Sequence, residues 1–210
     1  MFITFEGIEG CGKTTQVKRL AARLDRHGIK HVKTLEPGGT EIGNSIRKIL
    51  LDSGNTNLDP LTELVLYIAD RAQHMAEVIK PALEQNRWVI CDRFFDATVA
   101  YQGFGRGQDM DLINRLNDIV TQGVKPDITI LMDCPEDIGL SRALERNRDL
   151  SQEDQGRFEK EKIDFHRKVR QGYLKLAEMN RDRFIIVDAS QSVNQVEKDI
   201  MKIVSPHMTV

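Results

Sequence analysis

The sequence predicts a doubly wound α/β fold built on a parallel sheet of five strands flanked by helices. Three observations support this prediction. Five short runs are rich in β-branched and aromatic residues, and they alternate with longer segments whose apolar residues recur at helical spacing. Neither a low-complexity linker nor a shift in composition divides the chain. This alternation favours right-handed crossovers within one open sheet, so we expect a single domain over residues 1–210.

The five predicted strands are short and apolar, and each of them ends on an acidic residue. Continuous apolar runs suit parallel strands that are buried on both faces. Ligands of such sheets bind outside the carboxyl ends of the strands, where these acids cluster with glycines. The strands are expected at 2–6, 31–36, 88–92, 127–133 and 183–188.

Predicted helices fill the segments between these strands. Gly28 and Gly123 follow two of the helical segments and are typical helix ends, while Pro81 interrupts the longest one. The helices are expected at 13–27, 41–52, 59–86, 109–122, 136–147, 157–180 and 193–204.

Composition excludes several classes of function. With 210 residues, 40% hydrophobic and 30% charged, the chain can bury one sizeable core. Its 30 Lys and Arg against 32 Asp and Glu give a net charge of -2, which argues against a surface built to bind nucleic acid. Neither a signal-peptide pattern nor a membrane-length apolar run is present, so we expect a cytoplasmic protein.

Three cysteines, Cys11, Cys91 and Cys134, are widely spaced and form no C-x-x-C pair. This spacing supports neither a disulfide framework nor a zinc site. Two of them are expected in buried strands. For Cys11, beside a predicted helix start, two interpretations stay open: an oxidation-sensitive thiol of lowered pKa, or a small residue that fits its loop.

The stretch GIEGCGKT, residues 7–14, matches the full phosphate-loop pattern G-x-x-x-x-G-K-[ST] after a predicted strand and before a predicted helix. Its glycines let backbone N–H groups and the helix N-terminus point at phosphates. Lys13 is expected to reach the β- and γ-phosphates, and the Thr14 hydroxyl to help hold Mg²⁺. The predicted ATP-binding residues are Gly7, Ile8, Glu9, Gly10, Cys11, Gly12, Lys13, Thr14, Thr15 and, farther along the chain, Arg142.

The phosphate loop alone does not distinguish a GTPase, an ATPase and a small kinase. The N-K-x-D segment by which GTPases read guanine is missing from the sequence. A kinase needs a second phosphate site facing the loop, and Asp92-Arg93 follows the third predicted strand. There Asp92 is expected near the metal, and the Arg93 guanidinium is expected to bridge donor and acceptor phosphates.

Beyond the loop, the chain resembles the thymidylate kinase family over essentially its whole length. The matching segments, in the family's order, are FEGIEGCGKTT, EPGGTEIGNSIRKILL, LYIADRAQHMAEVIKPAL, DRFFDATVAYQGFGRG and PDITILMDCP. The resemblance implies the fold of P-loop nucleoside-monophosphate kinases and transfer of the ATP γ-phosphate to dTMP, with Mg²⁺ required. It also implies a homodimer, with helices such as 59–80 at the interface.

Residue roles follow from the same resemblance. Arg47 matches an arginine that grips the dTMP phosphate, and Tyr67 and Arg71 match a pair that stacks on thymine and bonds its O4. Glu9 matches an acid that contacts the sugar, and Tyr101 matches a side chain that crowds out a ribose 2′-OH. The implied dTMP-binding residues are Glu9, Glu36, Pro37, Arg47, Tyr67, Arg71, Arg93, Thr98, Tyr101 and Gln102.

The loop lacks the arginine that some thymidylate kinases carry there, so the extra cation for the transition state is expected elsewhere. The segment 142–158 resembles the mobile lid of the bacterial-type enzymes, although such charge runs are more often solvated helix faces. The catalytic residues implied are Lys13, Arg93, Glu9, Arg146, Arg148 and Arg157.

The sequence departs from the family pattern at two positions and leaves two rival functions open. The family often has Arg at position 35 and Asp at position 156, where this chain has Leu35 and Gly156. Two rival functions stand beside dTMP phosphorylation: a kinase for another nucleoside monophosphate or a deoxynucleoside, and a non-catalytic ATP-dependent switch. The histidines are interpreted as structural; they are His27, His31, His74, His166 and His207.

Overall fold

A computed structural model describes residues 1–149 and 156–208. It contains a sheet of five parallel strands in the order β2-β3-β1-β4-β5, which confirms the predicted doubly wound sheet. The strands are β1 (Phe2–Glu6), β2 (His31–Leu35), β3 (Trp88–Asp92), β4 (Ile128–Asp133) and β5 (Phe184–Asp188).

Strand β1 lies at the centre of the sheet, between β3 and β4. All five of its residues are buried, as the continuous apolar run FITFE predicts. Phe5 pairs with Asp92 on one side and with Ile130 on the other. The segment that follows β1 therefore begins from a rigid position at the carboxyl edge of the sheet.

Helices are found in every segment where the sequence predicts one. They are α1 (Lys13–Arg26), α2 (Glu41–Leu51), α3 (Pro60–His74), α4 (Lys80–Glu84), α5 (Phe95–Thr98), α6 (Met110–Thr121), α7 (Glu136–Asp149), α8 (Ile163–Met179) and α9 (Val193–Val204). Met75–Ile79 forms a π-helical link between α3 and α4, and a 3-10 turn covers Ser205–His207. Among the residues described, no helix combines the length and the apolarity needed to cross a membrane.

One helical segment is missing from the sequence prediction. Helix α5 continues into a π-helical stretch, Val99–Gly105. Its glycines mark close packing: a Cβ at Gly103 would lie 2.6 Å from the Met110 sulfur, and one at Gly105 would lie 2.7 Å from the Phe165 ring. Contact with α6 and α8 thus holds a helical turn that the glycine content of this segment disfavours.

Helix α8 begins at Ile163, six residues after the predicted start at 157. The residues before it form turns. Phe158 is buried there, with its ring 5.5 Å from that of Tyr101, and the Arg157 Nε donates to the Leu50 carbonyl at 2.5 Å. Tertiary contacts therefore override the helical pattern of this segment.

Candidate active site

A cavity of about 770 Å³ opens at the carboxyl edge of the sheet. Residues at or just beyond the ends of β2, β3, β4 and β5 line it, together with the loop after β1. Most of the predicted site residues meet there. They are Glu9, Gly10, Cys11, Gly12, Lys13, Thr14, Thr15, Glu36, Pro37, Arg47, Tyr67, Arg71, Asp92, Arg93, Thr98, Tyr101, Gln102, Arg142 and Arg146.

The loop between β1 and α1 has the geometry of an anion site. Gly12, with φ of 94°, precedes the first turn of α1, and no side chain of the described residues caps this helix. The N–H groups of the first turn can therefore bond to a ligand. Lys13 Nζ donates to the carbonyls of Gly7 (3.0 Å) and Ile8 (2.8 Å), which holds the cation against the loop. Gly7 and Ile8 shape the loop from behind and do not line the cavity.

Thr14 and Asp92 lie together beside the loop, where the Thr14 hydroxyl donates to Asp92 Oδ2 at 2.5 Å. One hydroxyl and one carboxylate suit Mg²⁺, which keeps several waters and completes its shell with substrate phosphates. Within residues 1–149 and 156–208, no group of three or more His, Cys, Asp or Glu could hold a metal ion. The donor set therefore fits Mg²⁺ that arrives with a nucleotide.

Glu9 is the centre of a buried polar network inside the loop. Its Oε1 accepts hydrogen bonds from the Tyr101 hydroxyl (2.6 Å) and from Arg93 Nη2 (3.0 Å). The Arg93 guanidinium also lies over the Tyr101 ring, 4.6 Å from its centroid. Burial raises the pKa of Glu9, but Arg93, His166 and Lys13 outweigh burial and hold this pKa below its usual range. Glu9 is therefore ionised at neutral pH.

His166 is a site neighbour that the sequence interpretation missed. Its Nδ1 lies 3.3 Å from Glu9 Oε2, and the ring is fully buried. The signal was present in the sequence, since His166 lies on the same face of α8 as Val169 and Tyr173, which are both buried. A histidine on an otherwise apolar face usually has a polar partner.

Glu36 is held on the opposite side of the cavity. Arg71 Nε donates to its Oε2 at 2.9 Å, and His74 Nδ1 lies 2.9 Å from its Oε1. Arg71 also donates to Asn117 Oδ1 (2.8 Å) and to the Phe94 carbonyl (3.2 Å). His74 is thus structural, as predicted, and Arg71 reaches the cavity from a fixed position.

Other polar side chains complete this opposite side of the cavity. Arg47 Nη1 donates to the Pro37 carbonyl at 2.8 Å, and Gln102 Nε2 donates to Glu63 Oε1 at 2.7 Å. The Thr98 hydroxyl is buried without a hydrogen-bond partner among the described residues. It therefore keeps its hydrogen-bonding capacity for a ligand.

Comparison with known proteins places this geometry in a family. The family model described as thymidylate kinase matches residues 5–200. The chain belongs to the thymidylate kinase family. It is 55% identical over 199 residues to the thymidylate kinase of Geotalea uraniireducens (strain Rf4), covering 95% of this chain and 93% of that one. It is 51% identical over 201 residues to that of Maridesulfovibrio salexigens, again covering 95% and 93%.

A solved structure supports the same assignment. The crystal structure of thymidylate kinase from Ehrlichia chaffeensis at 2.15 Å resolution superposes with a TM-score of 0.77, at 38% identity and with 98% of each chain covered. The five-stranded sheet is therefore that of the P-loop nucleoside-monophosphate kinases, as predicted.

Two of the predicted lid arginines line the cavity. Both lie on α7: Arg142 donates to the Ala189 carbonyl at 2.9 Å, and Arg146 donates to Glu159 at 3.1 Å. Arg148 is exposed and does not line the cavity. Arg157 does not line the cavity either, because it forms an ion pair of 2.7 Å with Glu63. The remainder of the predicted lid, 150–155, lies outside the described residues. The catalytic roles of these arginines stay predictions.

The main chain of helix α7 is in direct contact with the main chain of the phosphate loop. A Cβ at Gly10 would overlap the Gly139 carbonyl, and a Cβ at Gly139 would lie 2.6 Å from the Glu9 carbonyl oxygen. The loop and the helix that carries Arg142 and Arg146 therefore touch with no side chain between them.

The three cysteines are free and buried. Cys91 lies in strand β3 and Cys134 directly follows β4. Cys11 Sγ lies 3.5 Å from Lys13 Nζ at the edge of the cavity. Its sensitivity to oxidation stays a prediction.

Proposed function

We propose that this chain transfers the γ-phosphoryl group of ATP to dTMP, giving ADP and dTDP. The main observation that supports this proposal is that one cavity contains both a nucleotide-phosphate site and a second, facing site. A phosphate loop forms one side, and Arg47, Tyr67 and Arg71 form the other. Relatives that share half or more of their residues with this chain carry the name thymidylate kinase.

The transfer forms one bond and breaks one. An oxygen of the dTMP phosphate attacks the γ-phosphorus, the bond from that phosphorus to the β-bridging oxygen breaks, and the electron pair leaves with ADP. Lys13 and the first-turn N–H groups of α1 would hold the β- and γ-phosphates. The Arg93 guanidinium, fixed by Glu9 at 3.0 Å, would lie between the donor and acceptor phosphates and stabilise the developing charge.

Magnesium would be held by the Thr14 hydroxyl and, directly or through water, by Asp92. When bound with ATP, Mg²⁺ offsets the charge on the β- and γ-phosphate oxygens. The hydrogen bond of 2.5 Å between Thr14 and Asp92 supports this assignment, because it keeps both oxygens beside the loop.

For dTMP, Arg47 is the proposed ligand of the phosphate, and Tyr67 the proposed platform for thymine. Arg71, Thr98 and Gln102 would bond the edge of the base. Tyr101 and Glu9 would contact the sugar. Arg71 is only 1% exposed, and this burial supports its role in recognising the base. A buried donor in a fixed position disfavours any base that leaves it without a hydrogen bond.

Segment 142–158 is proposed as a lid that closes over ATP and excludes water, which would otherwise compete as the acceptor. Arg142 and Arg146 line the cavity and support this role. Arg148 and Arg157 would join the site only after a rearrangement.

A homodimer is the proposed assembly. Three helices that pack side by side, α2 on α3 and α3 on α6, carry exposed apolar side chains. Exposed apolar groups on neighbouring elements are typical of association surfaces. These side chains are Ile42, Ile49, Leu61, Val65, Leu112 and Ile119.

The experiment that tests the function is an ADP-release assay with ATP, Mg²⁺ and, in turn, dTMP, dUMP, dCMP, dGMP and thymidine. We expect turnover with dTMP to exceed that with every other acceptor. In Arg47→Ala, the KM for dTMP should rise at least about tenfold while the KM for ATP stays unchanged, because an ion-paired hydrogen bond to the acceptor phosphate is lost.

The matched control is Arg115→Ala, which removes an exposed arginine of α6 that does not line the cavity. It should keep both KM values. An unchanged KM for the acceptor in Arg47→Ala would favour a nucleoside kinase. ATP binding without turnover of any acceptor would favour a switch.

A further inference from the structure

Arg93 has a backbone conformation that arginine rarely adopts, with φ of 72°. In this left-handed region the Cβ crowds the following carbonyl oxygen. Such a conformation persists only where the surroundings fix it, and it is often found at functional sites. Here it directs a side chain that bonds Glu9 and lies over Tyr101 inside the cavity.

Three hydrogen bonds hold this strained residue from three sides. Arg93 N donates to the Phe5 carbonyl of the central strand at 2.9 Å. The Cys91 thiol donates to the Arg93 carbonyl at 2.9 Å. The next amide, Phe94 N, donates to Glu6 Oε1 at 2.7 Å. The first is a backbone contact, whereas the other two depend on side chains that the phosphate-transfer scheme does not use.

Those two side chains are themselves fixed. Glu6 is fully buried, and its Oε2 accepts a hydrogen bond of 2.8 Å from the Tyr173 hydroxyl. Burial, with Asp96 nearby, raises the pKa of Glu6 to about 8, so the carboxyl group is mostly neutral at pH 7. Cys91 is also fully buried, within strand β3. Neither side chain lines the cavity, so neither would touch a substrate.

We propose that Glu6 and Cys91 are positioning residues for phosphoryl transfer, because they hold the Arg93 backbone in the left-handed conformation that aims its guanidinium into the cavity. The inference rests on the proposed function. If either bond is lost, Arg93 relaxes toward an ordinary negative φ, and its guanidinium moves away from Glu9 and Tyr101. A shift of about 1 Å at such a group costs on the order of 100-fold in rate.

The test compares pairs of variants that keep or remove each hydrogen bond. Glu6→Gln keeps an acceptor for Phe94 N and a polar amide group that faces the Tyr173 hydroxyl, whereas Glu6→Leu keeps the approximate size of the side chain and loses the acceptor. Cys91→Ser keeps a donor, whereas Cys91→Ala loses it. We expect kcat with dTMP to fall about tenfold or more in Glu6→Leu and Cys91→Ala, and to stay within about threefold of the parent in Glu6→Gln and Cys91→Ser.

The matched control is Thr4→Val, since Thr4 lies on β1 with Glu6. This change removes a buried hydrogen bond of 3.0 Å between Thr4 and Thr129. It should lower the midpoint of thermal unfolding and leave kcat unchanged. A double-mutant cycle between Glu6 and Arg93 distinguishes positioning of Arg93 from a purely structural role, because only the first couples the two residues in kcat. In an Arg93→Ala background, Glu6→Leu should change the remaining kcat by less than about twofold.

Equal losses in both members of each pair would overturn the inference, as would an undiminished effect of Glu6→Leu in the Arg93→Ala background. If Glu6→Leu does not fold, the comparison of Cys91→Ala with Cys91→Ser decides: equal kcat in the two overturns the inference, and a loss only in the alanine variant supports it. A parent chain without dTMP turnover would contradict the proposed function, and with it this inference.

Discussion

At the scale of single residues, the two oxygens of Glu9 face different parts of the chain. Oε1 accepts from Tyr101 and Arg93, while Oε2 faces His166 on α8. We predict that His166→Leu raises the KM for dTMP about threefold or more, because Glu9, the proposed contact of the sugar, loses the polar neighbour of its Oε2. Steady-state kinetics at saturating ATP measure this change.

Two conservative variants control for the size of the histidine. In His166→Asn the amide nitrogen occupies the place of Nδ1, which faces Glu9, whereas His166→Gln reaches toward the place of Nε2. The asparagine variant should restore the KM for dTMP and the glutamine variant should not. Equal KM values in these two variants would argue against a directed contact with Glu9.

Glu6 makes stability depend on pH. Its pKa is raised from 4.5 to about 8, so between these values the folded chain keeps a proton that the unfolded chain releases. The contribution of Glu6 to stability is therefore complete below about pH 4.5 and is lost as the pH rises through about 8. Glu6→Gln removes this titration.

We accordingly predict that the free energy of unfolding of the parent, relative to Glu6→Gln, declines from about pH 5 to about pH 8. The slope can reach about 1.4 kcal/mol per pH unit. Urea unfolding of both chains at several pH values measures the difference, in which the other titrating groups cancel. Parallel pH profiles would show that the pKa of Glu6 is not raised.

At the scale of elements, helix α7 depends on the phosphate loop for its position. In Gly139→Ala the new methyl carbon would lie 2.6 Å from the Glu9 carbonyl oxygen, so the loop and the helix must separate. We predict that the KM for ATP rises about tenfold, because Arg142 and Arg146 move with α7. Initial rates at varied ATP and saturating dTMP measure this effect.

Ser141→Ala is the matched control, since Ser141 is an exposed residue of the same helix. Its KM for ATP should equal that of the parent. A normal KM in Gly139→Ala would mean that the helix moves without disturbing the nucleotide site.

Elements with a regular pattern could be predicted from the sequence, whereas those held by tertiary contacts could not. The apolar run FITFE predicts β1 because both faces of this strand are buried. The helical turns after Phe95 carry glycines at 103 and 105, and local propensity disfavours a helix there. Close packing against side chains such as Met110 and Phe165 favours them, and that packing is not visible in the local sequence.

At the scale of the whole molecule, exposed apolar side chains predict a dimer. Val65 on α3 is 48% exposed, and we predict that Val65→Asp yields a monomer, because a buried charge without a partner opposes association. Sedimentation velocity over a range of protein concentrations measures the molecular mass. The control is Met179→Asp, which changes a side chain 70% exposed on α8 and should leave the dimer intact. A monomeric parent chain would refute the assembly.

The candidate site was predictable where its residues are close in sequence or belong to a known motif. Lys13, Thr14 and Arg93 are examples, since a strand end and a loop pattern position them. His166 could not be assigned in this way, because it meets Glu9 only when α8 packs beside the segment containing Tyr101. Roles that depend on 150–155 stay predictions, since those residues lie outside the described part of the chain.

The contact between Gly10 and Gly139 also bears on how this chain can change under selection by an inhibitor. Gly10 lines the cavity, and Gly139 lies directly behind it. A compound seated on this part of the loop would contact main-chain atoms, and a side chain added at either glycine would push the loop and α7 apart. Drug resistance at this spot would therefore require coordinated substitutions in the loop and the helix, which arise far less often than single ones.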